Sequence, residues 1–119
     1  DIGVTFTPHL IPMTRGELVT CHVRGDVDQI QAALQAKYAD APFVTVLPLG
    51  SPPPDTRHVR GTNNCRIAVY PDRVKGRVVI IAVIDNLVKG SSGQAIQNLN
   101  LMMGWDETLG LAGLQALFP

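Results

Sequence analysis

The chain has 119 residues, of which 45% are hydrophobic, 17% charged and 5% aromatic. That is the length of one domain, with enough apolar side chains for a core and none of the bias of a disordered chain. Lys plus Arg and Asp plus Glu balance at 10 each, which argues against a dedicated nucleic-acid binder and removes any strong pull toward an anionic membrane surface.

In chain order, Val4 and Phe6 alternate as in a strand over Ile2 to Thr7, which Pro8 ends because proline has no N–H for a ladder. An element that starts at the first residues suggests a piece cut from a longer chain; no basic stretch followed by an apolar run, as in a secretory signal, is visible there. Glu17 to Arg24 reads as a second strand, with Val19, Cys21 and Val23 inward and Thr20, His22 and Arg24 outward. At Gly25-Asp26 the period changes. Asp26 caps a helix, with Gln29 three residues on completing a capping-box pattern, and Val27, Ile30, Leu34 and Tyr38 form its apolar stripe to about Ala39.

Phe43 to Leu47 is a third strand closed by Pro48, and Pro52-Pro53-Pro54 is an extended surface loop. A fourth strand lies within Val59 to Tyr70, followed by a turn from Pro71-Asp72 to Gly76. Val78 to Ile84, nearly all β-branched, reads as a central strand buried on both faces; it is far shorter than the ~20 residues that span a membrane. Asp85 to Gly90 is a connection. Ser91 or Ser92 caps a last helix running to Met103, where Gly104 stops it. In that helix Ile96, Leu99 and Met103 make an apolar stripe, while Gln94, Gln97, Asn98 and Asn100 crowd the rest with amides, a surface suited to bridging two domains. The expected fold is α+β: five strands in a mixed, largely antiparallel sheet, with helices on one face.

Cys21 and Cys65 each sit in an alternating apolar pattern and read as buried free thiols of a reducing compartment; without a CxxC or paired His/Cys spacing, no metal site is expected. The stretch FTPHLIPMTRG, Phe6 to Gly16, holds two candidate site residues. His9 is either a loop residue or an acid/base presented on a segment whose shape Pro8 and Pro12 stiffen, and an imidazole titrates near neutrality. Arg15 is either a solvated turn arginine or a planar fork for a carboxylate or phosphate. His22 and His58 read as surface or strand residues. Gly61-Thr62-Asn63-Asn64 is a turn into the Cys65 strand, or else a loop offering backbone amides. Lys89-Gly90-Ser91-Ser92-Gly93 has the look of a phosphate-cradling helix start but fits neither glycine-rich nucleotide pattern.

Taken in order, FTPHLIPMTRG, GTNNC and VIDNLVKGSSGQAIQNLNLMMG closely resemble the C-terminal part of the N-acetyl-gamma-glutamyl-phosphate reductases, enzymes of arginine biosynthesis related to the aspartate-semialdehyde dehydrogenases. The resemblance covers nearly the whole chain. It implies an α+β substrate and dimerisation domain over residues 1–90, and a C-terminal helix and tail over 91–119 that return to a Rossmann-type NADP(H)-binding domain outside this sequence. It implies that His9 is the catalytic acid/base, that Arg15 binds substrate, and that Asn86, Gly90 and Gln94 lie near the nicotinamide side of the cleft. Neither Cys21 nor Cys65 lies in the Gly-Cys-Tyr setting of that family's nucleophile. That cysteine, expected elsewhere, would attack the acyl phosphate; hydride from NADPH would reduce the thioester; and His9 would manage the protons.

Further implications are an inactive fragment when alone, a last helix poorly docked without its partner domain, a homo-oligomer (dimer or tetramer), a small acyl-phosphate substrate, no nucleic-acid or membrane partner, and a cytoplasmic or organelle-matrix setting. An aspartate-semialdehyde-type dehydrogenase and a non-catalytic amino-acid-binding or dimerisation module are the alternatives. Two residues depart from the family pattern: Glu17, where an apolar residue is expected, and Arg66, where an acid is expected.

Overall fold

The computed structural model describes residues 3–113. Four strands and two α-helices follow in the order β1 (Glu17–Arg24), α1 (Val27–Lys37), β2 (Val44–Val46), β3 (Cys65–Pro71), β4 (Arg77–Ile84) and α2 (Gly93–Met102). The sheet order is β1-β4-β3-β2. β4 pairs antiparallel with both β1 and β3, and β2 pairs parallel with β3, so the sheet is mixed and largely antiparallel as its sequence pattern predicts.

Val78 to Ile84 does take the central place. Its β-branched side chains suit a strand flanked on both edges. Ile67, Val69 and Val78 are buried on the sheet face that also carries Val44 and Val46, while Ala68 and Val83 are buried on the other. α1 begins where Asp26 accepts hydrogen bonds from the N–H groups of Asp28 and Gln29, at 3.0 and 3.1 Å. It lies against β3 and β2 with its expected stripe half-buried, and Gln31 Nε2 ties it to the Leu47 carbonyl at 2.9 Å. Across β3, the Tyr70 hydroxyl donates to the Ser51 carbonyl at 3.2 Å and holds the proline-rich loop over the opposite face.

Several expectations are corrected. Residues 3–7 form no strand, and Ile2 lies outside the described residues. Alternation marks a face, but a strand also needs ladder hydrogen bonds to a neighbour, and residues 3–7 pair with none of the four strands. β1 is not half-buried: Leu18 and Val19 are exposed on opposite faces and Cys21 is exposed too, because α1 covers the far half of the sheet. For the same reason most of β4 is only half-buried.

Neither serine caps the last helix. A π-helical turn, Val88–Ser92, runs directly into α2, and Ser92 Oγ instead donates to the Leu87 carbonyl at 2.8 Å. Gly104, at φ +70°, does provide the left-handed stop. The amides of α2 divide, with Gln94 and Asn98 exposed and Gln97 and Asn100 turned inward. Asn100 is buried and donates to the carbonyls of Glu107 and Leu109, at 3.2 and 2.9 Å, while Ile96, Leu99 and Met103 are exposed. The last six residues of the chain lie outside the described residues.

Candidate functional site

The register of β1 and β4 builds the site. Glu17 faces Ile84, so the residues just before β1, Arg15 and Gly16, come alongside the residues just after β4, Asp85 and Asn86. The Gly16 N–H donates to Asn86 Oδ1 at 2.7 Å. Gly16 has φ +113°, and a Cβ there would stand 2.7 Å from the Thr56 Cβ, so this close approach is open only to glycine.

Asp85 is the centre of the arrangement. It is fully buried, and its carboxylate accepts the N–H groups of Gly61 at 2.6 Å, Leu87 at 2.8 Å and Val88 at 3.0 Å. Arg15 Nε lies 3.0 Å from Oδ2 as a contact ion pair, although its N–H is not aligned for a hydrogen bond. Burial pushes this carboxyl up, but the three backbone donors and the Arg15 charge outweigh it and hold the group below the ordinary carboxylate range. One buried anion thus joins the Arg15 segment, the Gly61 loop and the turn after β4.

The Gly61 amide is therefore committed inside the protein, and Thr62 and Asn63 are buried rather than offered to a ligand. In the Lys89–Gly93 segment the N–H groups of Gly90, Ser92 and Gly93 are likewise used. Gly90 N–H bonds the Asp85 carbonyl, Ser92 N–H the Leu87 carbonyl and Gly93 N–H the Val88 carbonyl in the π turn, so the segment offers no consecutive run of free amides.

A second polar cluster stands beside it. Gln97 Oε1 accepts from Asn63 Nδ2 at 2.9 Å and from Lys89 Nζ at 2.6 Å, and Gln97 Nε2 donates to Glu107 at 2.5 Å. The Lys89 ammonium sits 5.6 Å from the centroid of the Phe43 ring. Burial pushes Lys89 down against the charges of Cys65 and Glu107. Burial pushes the Cys65 thiol up, with Lys89 opposing it, so this sulfur is not prepared as a thiolate. These contacts join α2 to the Gly61 loop, to the turn after β4 and to the segment that follows the helix.

Arg15 and Asn86 are brought together with Gly90, which packs by Ile84 and Asp85; Gln94 is exposed on the first turn of α2. His9 stands apart on the exposed segment ahead of Arg15. Its Nδ1 lies 3.1 Å from the Thr7 carbonyl, the one hydrogen bond of the ring among the described residues. A carbonyl only accepts, so Nδ1 carries the proton in this contact and Nε2 presents a lone pair in the neutral ring. His22 and His58 are surface residues. Among the described residues, no three His, Cys, Asp or Glu side chains come together as metal ligands, and no helix is long and apolar enough to cross a membrane.

Known proteins resemble this chain in sequence and in fold. N-acetyl-gamma-glutamyl-phosphate reductases from Ruegeria pomeroyi and Paracoccus denitrificans are 57% and 50% identical to this chain over 118 and 119 residues. The matches cover 99% and 100% of this chain but 34% of each relative, so it spans about a third of their length. Among solved structures, an aspartate semialdehyde dehydrogenase II from Vibrio cholerae, complexed with ASA, superposes with a TM-score of 0.60 over 79% of this chain and 29% of that one; at 17% identity this is a likeness of fold. The family described as semialdehyde dehydrogenase, dimerisation domain, matches residues 1–86, and the chain belongs to that family.

Proposed function

We propose that this chain is the substrate-binding and dimerisation part of an N-acetyl-gamma-glutamyl-phosphate reductase. The observation that carries the reading is the collinear match at 50–57% identity over essentially every residue, in relatives that all bear that name. The reaction is reduction of an acyl phosphate to an aldehyde with a nicotinamide cofactor, NADP(H), which supplies the hydride. Residues 1–90 form the substrate and dimerisation unit, and residues 91–119 face a nucleotide-binding domain. The exposed apolar residues Ile96, Leu99 and Met102 give α2 a surface that such a domain would cover. The bare faces of β1 give the sheet a surface for a second copy, which fits a dimerisation domain.

The nucleophilic cysteine belongs to the part of the protein beyond this chain, since Cys21 lies exposed on an edge strand and burial raises the Cys65 thiol. His9 acts as acid/base through Nε2: it takes a proton from the attacking thiol and then holds one at the oxygen of the tetrahedral centre. Arg15 presents its guanidinium to an oxyanion of the substrate. For the cofactor, this chain fits only an edge contact. Gly90 has no side chain to hold another group off, and Gln94 is exposed, but Asn86 Oδ1 is already engaged by Gly16 and no run of open backbone amides is available.

The test is turnover by the complete protein. N-acetyl-gamma-glutamyl phosphate should be reduced with NADPH in preference to NADH, and aspartyl phosphate should be a poor substrate. Preference for aspartyl phosphate would replace this reading with the aspartate-semialdehyde type, and binding of N-acetylated amino acids without any turnover would make the domain a non-catalytic module.

A further inference from the structure

We propose that Asp85 is a positioning residue for substrate binding: by holding Arg15 through Nε, it aims the two terminal nitrogens of the guanidinium at a substrate oxyanion. The inference rests on the proposed role of Arg15. An arginine side chain turns about flexible bonds, and a bidentate grip on a planar carboxylate or a phosphoryl group needs its fork held in one plane. A carboxylate paired with the Nε edge as a contact ion draws the guanidinium to one side without occupying the fork. In this chain Nε faces the buried carboxylate at 3.0 Å, while neither terminal nitrogen makes a hydrogen bond among the described residues and the side chain is 28% exposed.

The carboxylate itself does not turn. Oδ1 is held by the N–H groups of Leu87 and Val88, and Oδ2 by that of Gly61. The arginine backbone is held from the same turn, because Asn86 Oδ1 accepts the Gly16 N–H. Asp85 and Asn86 therefore fix Arg15 at both ends, leaving its outer edge for a ligand. Nothing in a purely structural ion pair calls for an arginine whose terminal nitrogens are left open.

The experiment uses the complete reductase and compares Arg15→Ala, Arg15→Lys and Asp85→Asn. Arg15→Ala should raise the KM for N-acetyl-gamma-glutamyl phosphate by about tenfold or more, the effect of losing a charge-assisted contact. Arg15→Lys should resemble Arg15→Ala, because a lysine has no Nε contact that leaves a fork free; restoration of the wild-type KM by lysine would show that charge without orientation suffices and would overturn the proposal.

Asp85→Asn should raise KM with kcat little changed, and should add nothing in the Arg15→Ala background. An equal further rise in that background, or a loss of kcat at constant KM, would make Asp85 merely structural. If Asp85→Asn does not fold, Asp85→Glu, which keeps the charge but displaces it by one methylene, takes its place: a raised KM at unchanged kcat supports the proposal and an unchanged KM overturns it. Inhibition by inorganic phosphate and by N-acetylglutamate identifies the end of the substrate that is gripped: the one that loses affinity in Arg15→Ala marks it, and no loss for either overturns the proposal. An unchanged KM in Arg15→Ala removes Arg15 from the site while leaving the reductase activity standing, whereas absence of that activity in the wild-type protein refutes the functional reading itself.

Discussion

Gly93→Ala is a substitution for which local preference and packing give opposite signs. Gly93 begins α2 with ordinary right-handed dihedrals, φ −66° and ψ −40°, so helix propensity alone favours alanine by about 1 kcal/mol. Packing opposes it. A Cβ at this position would run into Asn63 Oδ1 and stand 2.7 Å from Val88 Cγ1 and 2.9 Å from the Val88 carbonyl oxygen. The carbonyl cannot retreat without opening the π turn, since it accepts the Gly93 N–H. Nor is Asn63 free to swing, being buried with its Nδ2 bonded to Gln97. Overpacking of this kind costs about 1–3 kcal/mol, and weakening the Asn63–Gln97 hydrogen bond adds about 1 kcal/mol. After the propensity gain, a net loss of about 1–3 kcal/mol is expected in equilibrium unfolding of the protein. Asn63→Ala removes the atom struck first, so the double variant should lose less than the sum of the singles by more than about 0.5 kcal/mol. A Gly93→Ala protein as stable as wild type would refute the packing account and leave propensity as the deciding term.

Gly90→Ala meets nothing closer than the Ile84 Cδ1 at 3.4 Å, so stability should change by less than about 0.5 kcal/mol while the KM for NADPH rises; an unchanged KM would remove Gly90 from the cofactor side of the cleft. His9→Ala should lower turnover of the complete enzyme by roughly 10²–10⁴ with cofactor affinity retained, and near-normal turnover would reject its acid/base role. The folded-state pKa of Asp85 lies below its ordinary value of 3.8, so its contribution to stability is fully present above that value and is lost as the pH falls through the folded pKa. Asp85→Asn should therefore flatten the acid limb of the stability profile, and an acid limb parallel to that of the wild type would show that another carboxylate sets it.

The elements with a local cause were legible in the sequence. Gly25-Asp26 changes the period, and the Asp26 carboxylate does start α1; the β-branched run to Ile84 does form the strand with neighbours on both edges. The failures share a different cause. Val4 and Phe6 alternate, but no periodicity states whether a partner edge exists. Ser91 and Ser92 stand where a cap belongs, yet the Asp85 carboxylate binds the amides of Leu87 and Val88 first, starting the turn several residues earlier. In α2 the amides read as a surface for bridging two domains. Gln97 and Asn100 instead find buried partners in Asn63, Lys89 and the Glu107–Leu109 segment, a pairing that only the tertiary structure supplies.

Asp85 passed as a residue of a connection because aspartate is common in turns. A signal was present nonetheless. It directly follows Val78 to Ile84, a strand apolar enough to be central, and a carboxylate at the end of such a strand leaves water unless the strand ends at the surface. A buried carboxylate needs donors, and sequence offers them only through register. Pairing Glu17 with Ile84 delivers Arg15, while the Gly61 loop comes in ahead of β3. The stretches that carry the family resemblance are thus distant in the chain but meet on one anion. Removing any one of them would leave that buried charge short of a partner, and an unmet buried polar group commonly costs about 1–3 kcal/mol. His9 is not bound into this arrangement, since its ring bonds only to its own segment. The fixed part of the proposed site is therefore the Arg15–Asp85 pair, and His9, proposed as the acid/base, rides on the proline-containing segment that leads into it.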